Sequence, residues 1–221
     1  MTVASIIADF HAKQAAADAA LPIDRVVRQI ANRHFGLARF WKEVKGWAPP
    51  EAAEMLKKAR LERLTALAWS LRHWPALPEP VEEGDLILAW ANLGALVEGA
   101  LKLMLCVYLK DFLADEKTGK GTGAYHGKKE KMLDPDGLRL DVVIAYYEKR
   151  ELLSEEHLKL ARRVQNYRNV IHAFKSADLG TLEEFVDAVR GYRSLLRNIS
   201  GRLPYPDDVY EPQDVGPFDE K

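Results

Sequence analysis

The stretch DLILAWANLGALVEGALKLMLCVYLKDFLA, Asp85–Ala114, decides the fold. It is apolar almost all round, so as a helix it must be covered on every side, which makes it the central helix of a core. Asn92, Glu98 and Lys102 interrupt it, and its longest uncharged run is Leu86–Val97. A charge near a bilayer centre costs roughly 2.5–3.5 kcal/mol. The stretch is therefore expected in the interior of a soluble protein rather than across a membrane. Glu98 and Lys102, four residues apart, pair on one helix face. Gly94 and Gly99 offer places where another helix can approach closely.

Working outward, the rest of the chain also reads as helix. No alternating, β-branched runs stand between turn signals, so the expected fold class is all-α with no strands. Toward the N-terminus, helices are predicted over Val3–Ala19, Ile23–His34, Leu37–Lys45 (interrupted from the previous one by Gly36) and Pro50–His73. Pro50 suits the first turn of a helix, where its missing N–H costs nothing. Pro75, Pro78 and Pro80 mark a stiff linker. Toward the C-terminus, 115–136 is expected as a long loop, followed by helices at Leu138–Arg150, Glu155–Phe174 and Leu182–Ser200. Ser154 is placed to cap the second of these, and Thr181 with Glu184 forms a capping box. The predicted organisation is an N-terminal helical segment (1–75), a proline-rich linker (76–84), a helical bundle (85–200) and an acidic, proline-rich, irregular tail (201–221).

Composition narrows the function classes. The chain has 221 residues, enough for a real core without disulfides or metal, and a net charge of −1. No global basic field attracts nucleic acid, so any such site must be local. The single cysteine, Cys106, lies in an apolar run and is expected buried and inert; with no signal-peptide pattern at Met1–Lys13, a reducing, cytoplasmic location is expected. The six histidines show no paired zinc spacing, so no metal and no cofactor are expected. The five tryptophans, Trp41, Trp47, Trp69, Trp74 and Trp90, read as packing the N-terminal helices onto the core. In the 115–136 loop, GKGTG lacks the spacing of a phosphate-binding loop. The same loop gathers Lys117, Lys120, Lys128, Lys129 and Lys131, either a solvated run or a contact for a phosphate backbone.

The chemically suggestive helix is SEEHLKLARRVQNYRNVIHAFK, Ser154–Lys175. Leu160, Val164, Tyr167, Ile171 and Phe174 form one apolar stripe at spacings of three and four. Beside it run Gln165, Arg168, His172 and Lys175, also on one face. Lys159, Arg162 and Arg163 add positive charge nearby. A guanidinium grips phosphate oxygens with a planar fork, and an imidazole moves protons near neutral pH. Such a pair could cleave RNA without metal. A structural reading competes: Arg168 and His172 hydrogen-bond a carboxylate such as Glu98 across a helix interface.

YRNVIHAF, Tyr167–Phe174, resembles the signature of HEPN domains: an Arg, a polar residue, then a His near a helix end. ANLGALVEGALKLML, Ala91–Leu105, resembles that family's long helix with an acid at its middle. The likeness covers about residues 85–200. It implies a HEPN-like bundle that dimerises, with Arg168 and His172 as catalytic residues of a composite, metal-independent ribonuclease site and Asn169 in the polar position. Gln165, Lys175 and Glu98 would support RNA binding around them. It also implies roles such as a toxin or antiviral-defence effector, with a nucleotidyltransferase-type antitoxin as a partner. Three residues separate Arg168 from His172, fewer than is usual in the family. A non-catalytic HEPN-like binding or dimerisation module and a helical scaffold unrelated to HEPN are the alternatives.

Overall fold

The computed structural model describes residues 20–43, 49–171, 178–206 and 211–220. It is an all-α fold. Its helices are α1 (Ile23–Lys42), α2 (Pro50–Lys58), α3 (Glu62–Ser70), α4 (Glu83–Val107), α5 (Leu109–Ala114), α6 (Glu116–Lys120), α7 (Leu140–Lys149), α8 (Glu155–Arg168) and α9 (Leu182–Ser200). Against the expectation of no strands, Tyr125–His126 (β1) and Lys131–Met132 (β2) pair as a minimal antiparallel hairpin.

The central helix is α4. Trp90, Leu93, Leu96, Val97, Ala100 and Leu101 on it are fully buried. Helices α2, α3, α8 and α9 all pack on it, and α1 packs on α3 and α9. Helices before and after the proline-rich segment thus share one apolar core. By length and composition α4 could cross a membrane, but most of its apolar window is buried inside the protein. Cys106 is buried, and burial pushes its thiol up to about 12, which keeps it protonated and unreactive.

Several helix limits differ from the sequence expectation, each for a local reason. Helix α1 runs straight through Gly36, because that glycine serves a close approach and not a break: a Cβ there would stand 2.6 Å from Cβ of Pro212. The expected Pro50–His73 helix is split at Arg60, whose φ of 49° lies in the left-handed region. A 3-10 turn, Leu71–His73, completes it. The expected helix to Ala114 breaks at Tyr108, whose hydroxyl donates to the Arg202 carbonyl at 2.5 Å. The segment expected as a loop, 115–136, is folded into α6, the hairpin and a 3-10 turn at Pro135–Gly137, anchored by buried Ala124 and Met132.

Helix α8 ends at Arg168, and Asn169–Ile171 continues as a 3-10 turn. Asn and the two β-branched residues are weak helix formers. A 3-10 turn advances three residues per turn, so the residue below Tyr167 is Val170, not Ile171. Val170 is buried and Ile171 is half exposed, which corrects the expected stripe at its end. Phe174, the last residue of that stripe, lies outside the described residues, as do the Val3–Ala19 helix and Trp47. Trp41 and Trp90 are core residues. Trp69 is half-buried, in contact with the Phe218 ring and with the guanidinium groups of Arg28 and Arg72 near its own ring. The tail from 211 to 220 has no helix or strand, yet Pro212, Asp214 and Phe218 are buried against α1, α3 and α9.

Candidate site where α8 crosses α4

Helix α8 starts as the sequence indicates: the Ser154 hydroxyl accepts the His157 N–H, and Glu155 and Glu156 lie at the positive end of the helix dipole. Leu160, Ala161 and Val164 bury its inner face. One turn on, the Tyr167 ring lies tilted against Trp90 of α4 at 4.5 Å between centroids. These contacts bring the last residue of α8, Arg168, over Gly94. A Cβ at Gly94 would collide with the Arg168 side chain, so only glycine lets the guanidinium stem lie along α4.

From there Arg168 donates Nη1–H to Oε2 of Glu98. The other carboxylate oxygen of Glu98 takes the ammonium of Lys102 at 2.7 Å, one turn further along α4. Burial opposes ionisation of Glu98, but hydrogen bonds and charge from Lys102 and Arg168 outweigh it and hold the carboxyl below its usual range. Lys102 also donates to the Asp136 carbonyl at 3.0 Å, tying the 3-10 turn at Pro135–Gly137 to the site.

These groups line an open cleft of about 600 Å³, whose walls also carry Arg139, Asp141, Gln165 and Asn169. Gln165, Arg168, Asn169 and Glu98 are therefore brought together. Arg168 keeps about a third of its side chain exposed (34%), and among the described residues Glu98 is the group that its guanidinium bonds. His172 and Lys175 lie outside the described residues. The cleft is electrically balanced: Lys102, Arg139 and Arg168 face Glu98, Asp136 and Asp141. Arg139 and Asp141 pair with each other at 2.7 Å on the rim.

The extra positive charge of α8 is largely engaged. Lys159 pairs with Glu155 at 2.7 Å, and Arg162 bonds Glu148. Of the loop lysines, Lys120 pairs with Glu116 and lies over the Tyr125 ring, while Lys128, Lys129 and Lys131 are exposed on the hairpin. Arg139, Asp141 and the Asp136 carbonyl escaped the sequence reading: Asp136 belongs to an ordered turn in a segment read as loop, and Arg139 and Asp141 begin a helix that was expected but not connected with this cleft. The nearest signal was the Pro135–Gly137 turn itself. Among the described residues no group of three or more His, Cys, Asp or Glu side chains is placed to hold a metal ion. Compared with known proteins, the chain matches no family model, no curated protein and no solved structure.

Proposed function

We propose that the protein is a metal-independent RNA endonuclease of HEPN type, working as a homodimer with Arg168 and His172 as its catalytic residues. The observation that carries this reading is Arg168: a guanidinium fixed by Glu98 at one nitrogen, at an open cleft, four residues ahead of His172 in the sequence. The His172 imidazole takes the proton of a ribose 2′-hydroxyl, whose oxygen attacks the adjacent phosphorus. The bond from phosphorus to the 5′-oxygen breaks, and that oxygen takes a proton from a water molecule as it leaves. Arg168 stabilises the charge on the non-bridging oxygens. The products are a 2′,3′-cyclic phosphate and a 5′-hydroxyl.

Pre-orientation by Glu98 supports the assignment, since a guanidinium held in place loses less freedom on binding phosphate. Gln165 and Asn169 supply neutral hydrogen-bonding groups on the same wall. Half-exposed Ile171 and Leu88 offer apolar surface for a second copy of the chain. A toxin or defence role in the cytoplasm, restrained by a nucleotidyltransferase-type antitoxin, is the setting that this chemistry suits.

The test is expression of the wild type and of His172→Ala in a bacterial host. Growth arrest and RNA loss with the wild type alone support the nuclease. Equal toxicity of the two removes His172 from catalysis. A second reading, a non-catalytic binding or dimerisation module of HEPN type, draws on the balanced charges of the cleft and on the Arg168–Glu98 pair. Under that reading both proteins are inert.

A further inference from the structure

The segment 211–220 is held on the body of the protein by side chains that read it like a bound peptide. Asp214 carries most of the recognition. Its Oδ1 accepts from Nε of Arg33 on α1 at 2.8 Å; its Oδ2 accepts from Nε of Arg197 at 2.8 Å and from Nη2 of Arg193 at 3.3 Å, both on α9. Arg33 also donates to Glu211 at 2.5 Å. Asn32 of α1 grips the main chain from both sides: its amide donates to the Asp214 carbonyl at 3.1 Å, and its carbonyl accepts the Phe218 N–H at 2.9 Å. Arg28 donates to the Phe218 carbonyl at 2.7 Å.

Among the described residues, Pro212 and Phe218 are the buried apolar anchors. Pro212 sits on Gly36, and the Phe218 ring lies against Trp69 of α3 at 5.0 Å. Between the anchors, Gln213, Val215, Gly216 and Pro217 face solvent. Pro212, Asp214 and Phe218 are thus three buried pins of a plug, supplemented by Glu211 on Arg33 and by Asp219, whose carboxylate accepts from the Asn32 amide at 3.1 Å. A strand or helix of the fold would instead bury a continuous face and bond through its own backbone ladder. Side-chain grips on the backbone, one charge in a nest of guanidinium groups and one aromatic in a slot are how a receptor surface takes a linear peptide.

We infer that the face formed by α1, α3 and α9 is a peptide-docking site, occupied in cis by 211–220, and that its partner is a flexible segment of another protein with the pattern Pro-x-Asp-x-x-x-Phe. The cis segment acts as a competitor. It is tethered at an effective concentration on the order of millimolar, so a partner gains access only when it binds better or when the plug is released. The complementarity is specific: the buried arginines demand a carboxylate, and the slot beside Trp69 demands a ring.

The test uses the full-length chain and a fluorescein-labelled peptide of the sequence EPQDVGPFDE (211–220). An Asp214→Ala/Phe218→Ala chain lacks the pins of its own plug. It is expected to bind the peptide at least tenfold more tightly than the wild type does. A peptide with Ala in place of its Asp should lose tenfold or more. A folded double variant that takes up no peptide, or takes up both peptides equally, overturns the proposal. A wild-type dimer that dissociates on the same two substitutions would assign the occupant to a second copy and also overturn it. Should the double variant fail to fold, hydrogen exchange on the wild type decides. The Phe218 amide is expected to exchange through an opening that leaves the Leu195 and Leu196 amides protected. Exchange of Phe218 only together with those α9 amides shows that the segment is part of the core and not a plug.

Discussion

Arg168 at the end of α8 and Glu98 in the middle of α4, seventy residues apart in sequence, form an ion pair across the helix crossing that defines the cleft. The same carboxylate holds Lys102, so one acid orders two cations. Glu98 is therefore expected to matter to both stability and site geometry. Glu98→Gln leaves two partly buried cations without their counter-charge. Because the pair is partly solvated, the expected cost is about 1–2 kcal/mol, less than for a fully buried pair, read as a lower urea midpoint.

Gly94→Ala separates stability from site geometry. Alanine favours helix by about 1 kcal/mol over glycine, but its Cβ meets the flexible Arg168 side chain, which must swing away. The urea midpoint is expected to change by less than about 1 kcal/mol in stability, while RNA cleavage falls at least tenfold. Unchanged cleavage would show that the position of Arg168 on α4 does not matter to the reaction.

Gly36→Ala behaves differently, because the obstacle is the stiff ring of Pro212 and not a flexible side chain. The helix-propensity gain is outweighed, and a net loss of about 1–3 kcal/mol is expected in urea unfolding. Protection of the Phe218 amide should fall with it.

Acid should weaken the fold through its buried histidines. His34 is fully buried and donates to the Tyr192 hydroxyl at 2.7 Å, which in turn donates to the Leu96 carbonyl. Burial lowers the imidazole from 6.5 to about 3. The folded chain therefore binds this proton less well than the unfolded chain, and stability falls as pH drops from 6.5 toward 3, by about 1.4 kcal/mol per pH unit for one such group. Burial lowers His157 as well. Glu98 and Asp214 are held below the usual carboxylate range, so their contribution is lost only at lower pH. Urea unfolding between pH 6.5 and 5 isolates the histidines, and His34→Gln should flatten the profile there. An unchanged slope would contradict the buried, neutral state of His34.

What was legible in the sequence was local. The Ser154 cap, the Thr181–Glu184 box, the apolar Asp85–Ala114 run and the Glu98–Lys102 pair are all fixed by residues within four positions of each other. Gly94 and Gly99 were readable as close approaches, and Arg168 and Leu64 are what approach them. What was hidden depends on distant partners. Gly36 looks like a helix breaker until Pro212 is seen against it, and the acidic tail looks featureless until three arginines close on Asp214. The change from α to 3-10 geometry after Arg168, which exchanges Val170 for Ile171 as the buried residue, follows from weak helix formers whose effect no spacing pattern records.

The most direct test of the central claim is digestion of total cellular RNA by purified wild type beside the Arg168→Ala/His172→Ala variant, with a metal chelator present. Fragments ending in 2′,3′-cyclic phosphate are expected from the wild type and none from the variant. Equal cleavage by both, or intact RNA with both, would contradict the claim.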